Sequence, residues 1–367
     1  MNGVGRRSCC SSVLCFVSYI FSRILQRIKD SSIKTIVMAL AVPLNKWSTC
    51  SDVIANASQK EIIRLSQSTV VVTGANTGIG ESAAAALYKI GAHVVYACRD
   101  ISKAQAAAAR AKQQGGVGSL TCMILDLADL QSVKDFANHF LAKSQKEDFK
   151  PLRCCVWNAG LVSSGSAGAR TTKEGFEITF GVNHVGHWFL TQLLLPELRK
   201  NKPSRVIVVS SDSHYKGLVV RDEKKISDPS CVKQLAQSFD EPMMRKYGSS
   251  KLANVLFSKR LHATESKNGV YSASLHPGSM ISTDIAARNN FMQTFLVKYL
   301  IGMFTKNVDQ GAATTVHLCL LPHDQLQGQY FDNCAPKKSS RLTRGDVGVE
   351  AAEALEKGTK QLIRSFL

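Results

Sequence analysis

The chain has 367 residues, enough for one large domain or two small ones, and its 44% hydrophobic and 20% charged residues exclude a largely disordered polymer. Twenty-five glycines without a three-residue period exclude collagen, while eleven scattered cysteines with no C-x-x-C pair disfavour a disulfide scaffold or structural zinc and suit a reducing compartment. The net charge of +18 fits nucleic acid, an anionic membrane or an anionic cofactor, and does not choose among them.

The first segment, residues 1–45, reads as a basic, apolar leader separate from the fold. Its basic residues include Arg6, Arg7, Arg23, Arg27, Lys29 and Lys34, against the single acid Asp30. The uncharged run SCCSSVLCFVSYIFS holds 15 residues, short of the about 20 that a bilayer span takes. Ile20, Ile24, Leu25 and Ile28 then follow an amphipathic helical pattern. Three readings stay open for it: a short membrane anchor, an organelle-targeting segment, or an interfacial helix. Cys9, Cys10 and Cys15 could accept palmitate. A disordered leader upstream of Met38 is the bland alternative. Localisation follows the leader: endoplasmic-reticulum membrane or mitochondrion if it anchors or targets, cytoplasm if it does neither. Trp47 is the only tryptophan upstream of the fold, so no paired-tryptophan module is expected there.

From Thr69 the pattern becomes regular. TVVVT, HVVYAC, LTCMIL, LRCCVW, RVIVVS and VYSASL are apolar, β-branched runs separated by helical stretches. Continuous apolar strands alternating with helices predict a parallel sheet covered on both faces: an α/β, doubly wound Rossmann fold in one domain over residues 46–340. The end of the chain, 341–367, predicts a helix docked through Val349, Ala352, Leu355, Leu362, Ile363 and Phe366. FMQTFLVKYLIGMF (Phe291 to Phe304) is broken by Lys298 and reads as a helix near a substrate pocket.

The first strand leads into TGANTGIG, with Gly74, Asn76, Thr77, Gly78, Ile79 and Gly80. Glycine there lets the backbone turn tightly and approach a pyrophosphate at a helix amino end. The next strand ends at Cys98-Arg99-Asp100, facing the adenosine ribose in such a fold. Arg99 suits a 2′-phosphate and so NADP(H) rather than NAD(H), while Asp100 pulls the other way. Asp126 ends the third strand, where a carboxylate can accept from an adenine amino group or simply cap a helix.

Tyr247-Gly-Ser-Ser-Lys251 places a phenol and an ammonium on one helix face. A nearby ammonium favours phenolate, so Lys251 is expected to pull the Tyr247 pKa toward neutrality and fit it for general acid–base work. Ser210 and Ser211 end one strand, Asn158 and Gly160 another, and Pro277 and Gly278 follow a third. Asn183 sits within a long helical stretch, where a short amide is a poor helix former and needs a reason. His184 and His187 stand three apart, but a metal needs further ligands and an open position, so they read as packing and no metal is expected.

Taken in order, TGANTGIG, ACRD, LDLAD, NAG, NHVGH, VIVVSSDSH, YGSSK, PG, QGAATTV and GQYFDNC resemble the short-chain dehydrogenase/reductase superfamily, in its retinol-dehydrogenase-like branch, from about Thr69 to Phe331. The resemblance implies that Tyr247 gives and takes the proton, and that Lys251 lowers its pKa and binds the nicotinamide ribose. It implies that Ser211 rather than Ser210 hydrogen-bonds the substrate oxygen, and that Asn183 holds a water linking Lys251 to solvent. Asn158 and Gly160 would line the cofactor cleft, with Pro277 and Gly278 beside the nicotinamide. Ser282 stands where the family usually has a threonine and Thr283 follows, so that contact stays unassigned.

The expected function is NADP(H)-dependent interconversion of a hydroxyl and a carbonyl. The residues between Ser211 and Tyr247 are expected beside the pocket and, with Phe291 to Phe304, suggest a lipophilic substrate: a retinoid, steroid or aliphatic aldehyde. A cofactor-bound interaction protein with vestigial catalysis is the alternative. No nucleic-acid partner is expected; membrane contact through the leader and a homodimer are left open.

Overall fold

The computed structural model describes residues 43–146, 149–163, 170–217, 226–278 and 306–367. Residues 1–42 of the leader, Ser282 and Thr283, and the Phe291-to-Phe304 stretch lie outside these residues; the expected leader boundary at 45 is too late, because Leu44 already packs against the core. Leu44 to Leu367 form one compact unit. Among the described residues, no helix is long and apolar enough to cross a membrane.

Two short helices come first. Thr49 and Asp52 close a capping box on α1 (Cys50–Asn56), and the Ser58 side chain caps α2 (Gln59–Ser66). The repeating units follow: β1 (Thr69–Thr73), α3 (Gly78–Lys89), β2 (His93–Cys98), α4 (Ile101–Gln113), β3 (Ser119–Ile124), α5 (Leu130–Gln145) and β4 (Leu152–Trp157). A helical turn at Ile178–Phe180 and a π-helical turn at Gly181–Val185 lead into α6 (Gly186–Lys200). Then come β5 (Ser204–Val209), a 3-10 turn (Asp212–Lys216), α7 (Ser230–Ala236), α8 (Met243–Glu265) and β6 (Val270–His276). The chain ends with α9 (Val308–Leu320), β7 (Tyr330–Asp332), β8 (Ala335–Pro336) and α10 (Gly345–Leu362).

The strands form one sheet in the order β3-β2-β1-β4-β5-β6-β7-β8, parallel except for the antiparallel β7–β8 pair. All six strands expected from sequence are present. The closing hairpin was not expected, because strands of three and two residues offer no run to read; its turn holds Asn333 and Cys334 at φ 52° and 62°.

Alternation along the strands feeds two cores. Val70 and Val72 pack with Ala83 and Leu87 of α3, Ala107 of α4 and Val316 of α9. Val71 faces the opposite layer, with Phe136 of α5, Phe189 of α6 and Leu252 of α8. Burial of both faces explains why the inner strands are mostly apolar, while β3 at the sheet edge is largely uncovered.

The carboxyl-terminal helix docks on the second layer through Ala351, Ala352, Leu355 and Ile363. Arg260 of α8 pairs with Glu353 at 2.7 Å and Glu356 at 2.5 Å. Val349, expected on the docked face, is 59% exposed. Ala352, Leu355 and Ile363 are buried as expected, Leu362 and Phe366 pack partly against the same core, and Gly348 takes the buried place expected of Val349.

Candidate active site

The strand order reverses between β1 and β4, each joined to a connection leaving on its own side of the sheet. That divergence opens a crevice at the carboxyl ends of the strands, where ligands of such sheets bind. A cleft of about 580 Å³ lies there, running from the β1–α3 loop past the ends of β2 and β4 to Ser211, Tyr247 and Pro277–Gly278.

The loop after β1 is laid directly on the turn after β4. Thr73 Oγ1 accepts the backbone N–H groups of Asn158 and Ala159, both at 3.0 Å, and Asn158 Nδ2 donates to the Thr73 carbonyl at 3.0 Å. A Cβ on Gly80 would stand 2.3 Å from Asn158 Nδ2 and 2.4 Å from the Gly74 carbonyl, so only glycine fits. Asn76, Thr77, Gly78 and Ile79 line the cleft around the amino end of α3. A glycine-rich loop, a helix amino end and a long cleft at the switch point fit a dinucleotide, its pyrophosphate against α3.

At the far end of β2, Arg99 is exposed and lines the cleft, as does Lys103, which sequence reading passed over. Asp100 caps α4: its carboxylate accepts the Lys103 N–H at 3.1 Å and pairs with Lys103 Nζ at 3.5 Å. Those bonds hold its pKa below the usual carboxylate range. Asp126 also lines the cleft, while its Oδ1 accepts the Ala128 N–H at 2.9 Å.

The other end gathers the four expected catalytic side chains. Tyr247 and Lys251 lie one turn apart on α8, with Lys251 Nζ 5.6 Å from the phenol ring centre. Lys251 is 3% exposed and donates to the Val209 carbonyl at 3.0 Å. Burial lowers its pKa to about 8. For Tyr247 the sequence expectation needs correcting. Burial raises the phenol above its ordinary value, and the opposing influence is a hydrogen bond from Ser211 rather than the lysine charge.

Ser211 lies at the end of β5 beside Tyr247, its Oγ accepting the Ser213 N–H at 3.2 Å. Ser210 donates its hydroxyl proton to the Lys251 carbonyl at 2.7 Å and is structural. Asn183 occupies the π-helical turn, not regular helix. Such turns concentrate at functional sites. Its amide clamps the strand-end loop: Oδ1 accepts the Leu161 N–H at 2.8 Å, and Nδ2 donates to the Leu161 carbonyl and Ser250 Oγ, both at 3.0 Å. A Cβ on Gly160 would come within 3.2 Å of Lys251 Nζ and 3.3 Å of Asn183 Oδ1, so this glycine sets how close the lysine and amide lie to the loop. Pro277 and Gly278 line the same end, Gly278 at φ 120°.

His184 and His187 are buried, bonded to Thr359 Oγ1 at 3.1 Å and Thr73 Oγ1 at 2.9 Å. Burial drops both to a pKa of about 3, so the rings are neutral packing elements. The described part of the stretch between Ser211 and Tyr247 divides. Its first turn adjoins the site, whereas α7 packs on α10, where a Cβ on Gly358 would lie 2.3 Å from the Pro229 carbonyl.

A switch-point cleft that ends at Ser211 and Tyr247, with Lys251 buried behind them, defines a dehydrogenase of the short-chain type, and the chain belongs to the short-chain dehydrogenase family. That family's model matches residues 68–221. Among its relatives, the WW domain-containing oxidoreductase of Gallus gallus is 38% identical over 316 residues, 85% of this chain and 72% of the relative. That of Homo sapiens is 41% identical over 72% of this chain, which spans only 61% of the relative's length. Retinol dehydrogenase 12 of Mus musculus is 37% identical over 72% of this chain and 77% of its own, which places the chain in the retinol-dehydrogenase-like branch. A solved structure of an uncharacterized protein from Mycobacterium paratuberculosis superposes with TM-score 0.57 at 29% identity, covering 81% of this chain and 94% of its own.

Proposed function

We propose that the protein interconverts a hydroxyl and a carbonyl on a lipophilic substrate with NADP(H). The observation that carries this is the convergence of Ser211, Tyr247, Lys251 and Asn183 at one end of a cleft whose other end is the glycine loop and Arg99. When bound, the nicotinamide supplies or accepts the hydride.

Every other role falls to side chains. With its pKa raised by burial, Tyr247 stays protonated through the neutral range, the form needed to donate to a carbonyl oxygen in the reductive direction. Ser211 hydrogen-bonds the same oxygen and holds it in line with the phenol. Lys251, charged below about pH 8, offers a buried ammonium that steadies the phenolate left after proton transfer and would hold the cofactor ribose. Asn183 holds the loop at Leu161 and thus the wall facing the lysine.

NADP(H) is favoured over NAD(H) because Arg99 is free at the cleft rim while the Asp100 carboxylate is committed to capping α4. A lipophilic substrate is supported by the names of the relatives, three of which are retinol dehydrogenases. The test is turnover of NADPH with purified protein against retinoid, steroid and aliphatic carbonyls. Saturable consumption with at least one class is expected; tight NADPH binding with no turnover across the panel would favour a non-catalytic role instead.

A further inference from the structure

The 3-10 turn that follows Ser211 is held from two sides. On one side it lies against α8. A Cβ on Gly217 would meet the Gly248 carbonyl at 2.2 Å, and a Cβ on Gly248 would meet the Ser213 carbonyl at 2.7 Å. Facing glycines thus let the turn press onto the helix directly after Tyr247. On the other side stands His214, fully buried.

Its ring makes two bonds of opposite sense. Nδ1 faces the Ser211 carbonyl at 2.7 Å, and a carbonyl only accepts, so Nδ1 carries the proton. Nε2 receives the Ser340 backbone N–H at 3.0 Å, so Nε2 is bare. The neutral Nδ1–H tautomer is therefore the only form that satisfies both. Burial agrees, holding the ring below its ordinary pKa of 6.5. The ring also packs on Tyr330, centroids 4.6 Å apart, so it joins the start of β7 to the end of β5.

We propose that His214 is a positioning residue for the reaction: as the Nδ1–H tautomer it fixes the Ser211 main chain, and thereby aims Ser211 Oγ at Tyr247 and the substrate oxygen. Ser340, more than a hundred residues away, is the anchor at the far side of the ring. This rests on the reductase reading above.

The experiment compares three variants in the full chain. His214→Asn keeps an amide donor near the Nδ1 position; His214→Gln places its amide near Nε2; His214→Ala keeps neither. His214→Ala should lower kcat about ten-fold, the factor carried by one lost hydrogen bond. Substrate KM and NADPH affinity should change less than kcat. His214→Asn should recover most of that kcat without recovering melting temperature, and His214→Gln the reverse. Equal losses in all three variants, tracking melting temperature alone, would make His214 a packing residue and overturn the proposal. Histidine nitrogen NMR gives a readout independent of turnover: His214 should show a neutral, Nδ1-protonated ring, and an Nε2–H ring would also overturn it. A wild-type protein with that NMR signature but no turnover would remove the reductase reading, and the catalytic role with it, while leaving the ring geometry intact.

Discussion

At the scale of single residues, the site works by burial. Taking Tyr247 and Lys251 out of water disfavours the charged form of each, raising the phenol and lowering the ammonium. The lysine therefore loses its charge as pH rises through about 8, and carbonyl reduction should lose rate with it. A profile of kcat/KM against pH is expected to be level below that value and to fall above it. A fall delayed to about pH 10, the ordinary lysine range, would show that burial does not tune Lys251. At the other end of the cleft, Arg99→Ala should weaken NADPH about ten-fold or more while changing NADH little, the loss expected for one charge-assisted pair with a phosphate. Equal losses for the two cofactors, read by titration, would show that Arg99 recognises no 2′-phosphate. Tyr247, Lys251 and the glycine loop were legible because their chemistry is local: a phenol and an ammonium one helical turn apart, a strand leading into glycines. His214, Ser250 and Thr73 were not, since each is tied to a partner distant in the chain: Ser340, Asn183 and Asn158.

Secondary-structure elements explain what the residues stand on. The six apolar runs announced the sheet because parallel strands covered on both faces leave few polar positions. The strand order, and so the crevice, could be inferred only from the alternation with helices. One element hides a feature no pattern signals: β5 carries Arg205, wholly buried. Its guanidinium donates to the Leu318 and Leu321 carbonyls and to His323 Nδ1, each at 2.7 Å, and meets Glu61 at 3.2 Å. It ties α2 and the end of α9 to the sheet margin opposite the active site. Arg205→Ala would leave a cavity and two buried carbonyls without that partner, a destabilisation of about 3 kcal/mol or more. Urea unfolding should show this as a lower midpoint, with NADPH affinity of the folded protein unchanged. A midpoint within error of wild type would mean that water replaces the guanidinium without loss.

At the scale of the whole molecule, the compact unit beginning at Leu44 contains both ends of the cleft and the layers that support it. Leu44 itself packs on one core, so truncation belongs before it. A protein lacking residues 1–43 is expected to be soluble and to retain the full-length kcat. Loss of soluble protein in expression and gel filtration would make the leader part of the fold. This unit is proposed to work as a reductase whose acid is Tyr247. The most direct measurement is NADPH consumption with a lipophilic aldehyde, wild type against Tyr247→Phe, with NADPH affinity measured on both. Phenylalanine keeps the ring and removes the transferable proton, so kcat should fall by about 10²–10⁴-fold with cofactor affinity nearly unchanged. Wild-type turnover in the Tyr247→Phe protein would contradict the account.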